Sequence, residues 1–199
     1  MVLKKLMYYS GRHGWLFLGS LLLIISYLFY FLPAFHAKVL AYTGGTGSID
    51  STFLATPEAL YELVAGWGAE GRSSYIADRL SFDILWPISF TMLHFFAISW
   101  LWFRCRKDEW LMVLGGWLAL LPFAFDMGEN ILAMRFVYLF PEKNLLLGQW
   151  LSVMTTSKWV TVLMVETLLL VFIFTWIKKQ WCRVSSSASR DSRQLIKKV

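Results

Sequence analysis

Four apolar stretches, each close to the length of one membrane crossing, constrain this chain more than any other feature. They fall at about 14–34, 81–103, 110–132 and 158–177. A hydrocarbon layer about 30 Å thick takes roughly 20 helical residues to cross. Backbone amides have no water to bond there, so each stretch must satisfy them internally, as a helix does. The expected fold class is all-α: a polytopic transmembrane four-helix bundle. Composition agrees, because 57% of the 199 residues are hydrophobic, above the roughly 45–50% of soluble domains.

Charge orients the spans. The net charge is +6, with 19 basic residues. Thirteen of them lie on one side: Lys4, Lys5 and Arg12 before the first span, Arg104, Arg106 and Lys107 between the second and third, and seven after the fourth. Basic flanks mark the cytoplasmic side, so both termini are expected there. This distribution excludes nucleic acid as a partner, since no soluble face carries the charge. Trp15, Trp102, Trp110 and Trp176 at the inner ends, with Trp86 and Trp159 near the outer ends, fit interfacial belts. The first apolar run exceeds the h-region of a secretion signal and is read as a retained span. Cys105 and Cys182 follow cytoplasmic ends, where disulfides are rare, and no CxxC pair exists. The expected location is a plasma or inner membrane, with multiple passes.

Residues 1–184 are read as the transmembrane domain and 185–199 as a basic, disordered cytoplasmic tail with affinity for the anionic leaflet. The outer loop, 35–80, opens with a glycine-rich turn over 43–48. Thr56-Pro57-Glu58 then reads as an N-cap, a first-turn proline and a first-turn acid. Leu60, Leu63, Val64 and Trp67 follow at helical spacing, predicting a short amphipathic helix on the outer membrane surface or against a partner. Gly66, Gly68 and Gly71 interrupt it, and Ser73 is expected to cap the helix leading into span two. Pro141 to Asn144 read as a turn, with helix resuming from about Leu145.

Ionisable residues inside apolar spans are costly and usually face a protein interior with a partner. At about 1.5 Å per residue, Asp83, Asp126, Glu129 and Lys158 lie about 24–30 Å from the cytoplasmic ends of their helices, in one outer layer. Asp126, Glu129 and Asn130 share a face through i, i+3 and i+4 spacing. Pro87 cannot donate the usual bond to the Asp83 carbonyl, so Asp83 offers a carbonyl and a carboxylate together, with Arg79 one turn away. The expected ligand-binding cluster is Asp83, Asp126, Glu129, Asn130, Lys158, Arg72 and Arg79. The same charges also suit plain interhelical ties. A second pair, His94 and Glu166, shares a deeper level about 14–16 Å from the cytoplasmic ends. Such pairs serve proton relays, and a histidine bonded to a nearby Thr91 or Thr161 is the simpler reading. No metal site and no cofactor is expected. His13 and His36 lie near opposite faces, which disfavours haem ligation.

Two patterns, Gly71-Arg72-x-x-Tyr75 running on to Asp83-x-x-x-Pro87, and Asp126-x-x-Glu129-Asn130, resemble a group of small four-span integral membrane proteins. The resemblance spans most of the chain. It implies weight on Arg72, Asp83, Pro87, Asp126, Glu129 and Asn130, and it implies no activity. The lipoprotein signal peptidase is a small four-span protein with two outer aspartates, but its asparagine-containing motifs are missing here. Three function classes stand. The first is binding of a small or amphiphilic ligand, such as a lipid, in an outer polar pocket. The second is a non-catalytic accessory or scaffold role, with a second copy or another membrane subunit as partner. The third is an intramembrane enzyme for a lipid-like substrate, or one with an Asp83/Asp126 hydrolytic dyad. The reading leans away from an enzyme, and the bilayer is a partner in all three.

Overall fold

Apolar sequence of this length can only satisfy its backbone as helix, and every regular element among the described residues is helical. A computed structural model describes residues 2–105 and 108–196, with side chains as far as Cys182. Arg106 and Lys107, and the side chains on which the tail expectation for 185–199 depends, lie outside the described residues.

The chain begins with α1 (Val2–Arg12), an element the sequence reading did not separate from the flank. Met7 and Gly11 are buried on its inner face, which packs on α6 and α7. Next come α2 (Gly14–Ser26), a widened π turn (Tyr27–Phe31) and α3 (Leu32–Thr43). Together they form one apolar stretch, Gly14–Thr43, running past the expected boundary at residue 34. The π turn sits just before Pro33, which lacks an N–H to donate, and Leu32 N–H bonds back to the Tyr27 carbonyl. Gly44 ends α3 in the left-handed region at φ 62°, where a side chain would be strained.

Helix α4 (Pro57–Gly66) starts where the cap signal places it, with Ala59 N–H donating to Thr56 Oγ1 at 3.3 Å. Its apolar face is not turned to a membrane surface. Leu60, Tyr61, Val64 and the following Trp67 are buried with Ala133, Phe136 and Leu151. Helix α5 (Gly68–Arg79) begins at Gly68, five residues before the Ser73 expected to cap it. Only Trp67 separates it from α4. Gly71 does not break α5: a Cβ there would lie 2.5 Å from the Tyr42 carbonyl oxygen, so this glycine lets α3 and α5 approach closely.

Helices α6 (Phe82–Cys105), α7 (Glu109–Tyr138) and α8 (Leu145–Ile196) pack against one another. Asn144 caps α8, its Oδ1 accepting from Leu147 N–H at 3.0 Å. Four stretches are long and apolar enough to cross a membrane: Gly14–Thr43, Gly68–Cys105, Glu109–Tyr138 and Leu145–Cys182. Leu18, Leu22, Phe29, Leu163 and Phe174 are exposed on their outer faces. An apolar exterior over an apolar interior fits a multi-pass membrane protein.

Two core clusters divide the length of the molecule. One gathers Met7, Ile98, Leu101, Met112 and Phe172 toward the end that holds α1 and the α6–α7 connection. At that end Lys4 and Tyr8 donate to Glu109, and Lys179 Nζ donates to the Arg104 carbonyl at 2.9 Å. The other cluster gathers α4, α5, the distal part of α7 and the start of α8. Asp83, Asp126, Glu129 and Lys158 lie on α6, α7 and α8 between the residues of the two clusters.

Candidate functional site

Five elements bring their charges to one place: the 3₁₀ turn Ile49–Ser51 and helices α5 to α8. Arg79 ends α5 and is 4% exposed. Its guanidinium lies 3.3 Å from Asp83 Oδ2 and 3.1 Å from Asp50 Oδ1, and it donates to Asn130 Oδ1 at 2.9 Å and to Ser48 Oγ at 3.4 Å. It also stacks on the ring of Tyr75, 4.5 Å from the centroid. A cation this deeply buried needs such compensation, and here it has two carboxylates and two neutral acceptors.

Lys158 is the second cation. It pairs with Asp126 Oδ1 at 3.3 Å and contacts Glu129 Oε2 more closely. Glu129 is 1% exposed, and its other oxygen accepts from Thr155 Oγ1 at 2.9 Å. Glu129, Thr155 and Lys158 thus tie α7 to α8. Asp126 and Asp83 are held by different cations, an arrangement unlike two carboxyls sharing one proton.

Asn130 connects the two halves. Its Nδ2 donates to the Asp83 carbonyl at 2.9 Å and approaches Asp126 Oδ2 at 3.5 Å. The Asp83 carbonyl is the one that Pro87 cannot serve, and α6 continues through Pro87 with that acceptor taken up by α7.

Beside these groups lies a cavity of about 260 Å³. Its charged lining is Asp50, Arg79, Asp83, Asp126 and Lys158, and its aromatic walls are Trp86, Phe90, Phe123 and Trp159. The carboxylates are the more open groups. Asp50, Asp83 and Asp126 side chains are 36%, 13% and 15% exposed, against 4% for Arg79 and 10% for Lys158. Burial alone would push the Asp50 carboxyl up, but Arg79 and Lys158 hold it down at about 2.

The structure brings together Asp83, Asp126, Glu129, Asn130, Lys158 and Arg79. Arg72 is elsewhere: it donates to the Val64 carbonyl at 3.4 Å and covers the ring of Phe140 at 4.4 Å. On α5, Arg72 and Arg79 are seven residues apart, and their partners lie in different places. His94 and Glu166 meet, with Nε2 2.9 Å from Oε1, and His94 Nδ1 lies 2.7 Å from the Phe90 carbonyl. Thr91 and Thr161 are not the partners.

Sequence reasoning missed Asp50, Ser48 and Thr155. Thr155 was legible in principle, because it lies one turn before Lys158 on the same face of α8. Asp50 carried no such signal. It sits in a 3₁₀ turn, Ile49–Ser51, and Trp159 Nε1 donates to its carbonyl at 2.9 Å across more than a hundred residues. A further missed pair, Lys38 with the buried Asp78, joins α3 to α5 next to Arg79. Among the described residues no group of three or more His, Cys, Asp or Glu side chains is arranged to hold a metal ion.

No protein family, curated protein or solved structure matches this chain. Its chemistry is therefore read from the cavity and the groups around it.

Proposed function

We propose that this chain is a multi-pass membrane protein, with both termini cytoplasmic, that binds a small amphiphile in the cavity from the non-cytoplasmic side. The observation that carries the reading is the polarity of the lining. Both cations are buried and engaged, whereas the more exposed charged side chains of the lining are the carboxylates Asp50, Asp83 and Asp126, beside four aromatic walls. Four carboxyl groups, counting Glu129, face two cations. Excess acid and aromatic faces are the chemistry that receives a cationic headgroup. Trp86, Phe90 and Phe123 offer apolar surface to the adjoining chain of such a ligand.

The test compares a long-chain alkylammonium with an alkylsulfonate of equal length, added to the purified protein in excess neutral detergent. The amine is expected to raise the melting temperature and the sulfonate to leave it unchanged. Native mass spectrometry of gently extracted protein should show a retained cationic or zwitterionic amphiphile. Equal responses to the two headgroups, with Asp83→Asn folded and indistinguishable from wild type in both assays, would sink the reading.

A further inference from the structure

One helical turn beyond the cavity lining on α6 and α8 lies the only histidine–carboxylate contact among the described residues, and its geometry demands a proton. The central segments 84–103, 110–125 and 159–177 contain no acid or base side chain other than His94 and Glu166. The fold sets these two 2.9 Å apart, Nε2 to Oε1. The His94 side chain is 3% exposed and the Glu166 side chain 48%.

The imidazole has two nitrogens and both are engaged. Nδ1 lies 2.7 Å from the Phe90 carbonyl oxygen, an acceptor only, so Nδ1 carries a hydrogen and donates it. Nε2 then faces a carboxyl oxygen. If Nε2 also carries a hydrogen, the ring is an imidazolium beside a carboxylate. If it does not, Glu166 must be the protonated acid and donate to Nε2. A neutral ring facing an ionised carboxylate would set two lone pairs against each other. Each allowed arrangement holds one proton more than a neutral histidine plus a carboxylate, and each has zero net charge.

We propose that His94 and Glu166 together form a proton-binding site one helical turn beyond the cavity lining, at mid-depth in the membrane. The ring of Phe90 lines the cavity and packs on His94, with centroids 4.1 Å apart. Thr91 and Val162 line the cavity as well, one turn before His94 and Glu166 on their helices. Along the helices on the other side, Phe95, Ile98, Leu101, Leu169 and Phe172 form a buried apolar cluster, while the Glu166 side chain is itself half-exposed.

The surrounding elements supply little competing charge. From α2 and the π turn the titratable groups are the phenols of Tyr27 and Tyr30, and α7 offers none between Trp110 and Phe125. On α8 the next charge toward the cavity is Lys158, two turns away, and on α6 it is Asp83. The charged residues of α1 belong to the far end, where Gly11 meets Ser99.

The test uses ¹⁵N-histidine NMR on full-length protein in bilayers at about pH 7.5, where an unperturbed imidazole is mostly neutral. His13→Gln and His36→Gln leave His94 as the single imidazole. The expected spectrum shows a protonated Nδ1, with either a protonated Nε2 or a bare Nε2 hydrogen-bonded to a carboxylic acid. In the latter case, an infrared carboxylic acid band should vanish in Glu166→Gln. The amide of that variant can still donate to Nε2, so the His94 Nδ1–H form should persist as a neutral ring. A ring protonated only at Nε2 beside an ionised Glu166 would overturn the proposal, and the wild-type side chains decide this even if Glu166→Gln does not fold.

Discussion

Lys158 shows how one residue sets the behaviour of the site. It is the cation that faces both Asp126 and the fully buried Glu129. Lys158→Met should cost about 3–5 kcal/mol, because it strands charge in the interior. Adding Glu129→Gln should recover part of that loss, as thermal unfolding in detergent would show; an additive double variant would mean that the two are not coupled. Asp50 gives the pH-dependent counterpart. Its folded value is held near 2, below an unfolded value of about 3.9. A depressed carboxyl stabilises fully above the unfolded value and loses its contribution as pH falls through the folded one. The stability gap between wild type and Asp50→Asn should therefore be constant above about pH 5 and should close between about pH 4 and pH 2. Because Asp50 is partly exposed, solvent screening limits that gap to about 1 kcal/mol.

At the scale of elements, the conjunction of a proline in α6 and an asparagine in α7 is the informative device. Pro87→Ala restores an N–H that can reach the Asp83 carbonyl and so competes with Asn130 Nδ2. Asn130→Leu should then be less damaging in the Pro87→Ala background than in wild type, with a coupling of about 0.5–3 kcal/mol in a double-mutant cycle. Gly71→Ala should separate α3 from α5 and cost about 1–3 kcal/mol, because its Cβ meets the backbone of Tyr42 rather than a yielding side chain. The Gly71-Arg72-x-x-Tyr75 pattern thereby divides into three tasks: close approach at Gly71, cover of Phe140 by Arg72, and a platform for Arg79 at Tyr75.

For the whole molecule, the contacts of Lys4 with Glu109 and of Lys179 with Arg104 set α1 and the Lys179 turn of α8 at one end. If that end is cytoplasmic, as we propose, a membrane-impermeant maleimide should leave Cys182 unlabelled in sealed right-side-out vesicles and modify it once they are opened. Cys182 is exposed, while Cys105 is buried and should react only after unfolding. Labelling of Cys182 in sealed vesicles would reverse the orientation and place the cavity on the cytoplasmic side.

The sequence by itself determined the apolar helices and the level at which their charges lie. Those follow from segment length, the 1.5 Å helical rise and the free energy of charge in hydrocarbon, all of which are local along the chain. It also determined that Asp83 would have an unserved carbonyl, because proline lacks an N–H wherever it stands. Tertiary structure alone decided who answers. Asn130 takes the carbonyl, Asp50 arrives from a distant turn to meet Arg79, and Arg72 turns away to Phe140. Likewise α4 buries its apolar face in protein, although its amphipathic pattern suits a membrane surface equally well. These outcomes depend on which helix faces lie opposite one another, and on where the loop between α3 and α4 folds back. Spacing along one helix carries no information about the rotation of its neighbour, so only packing could choose.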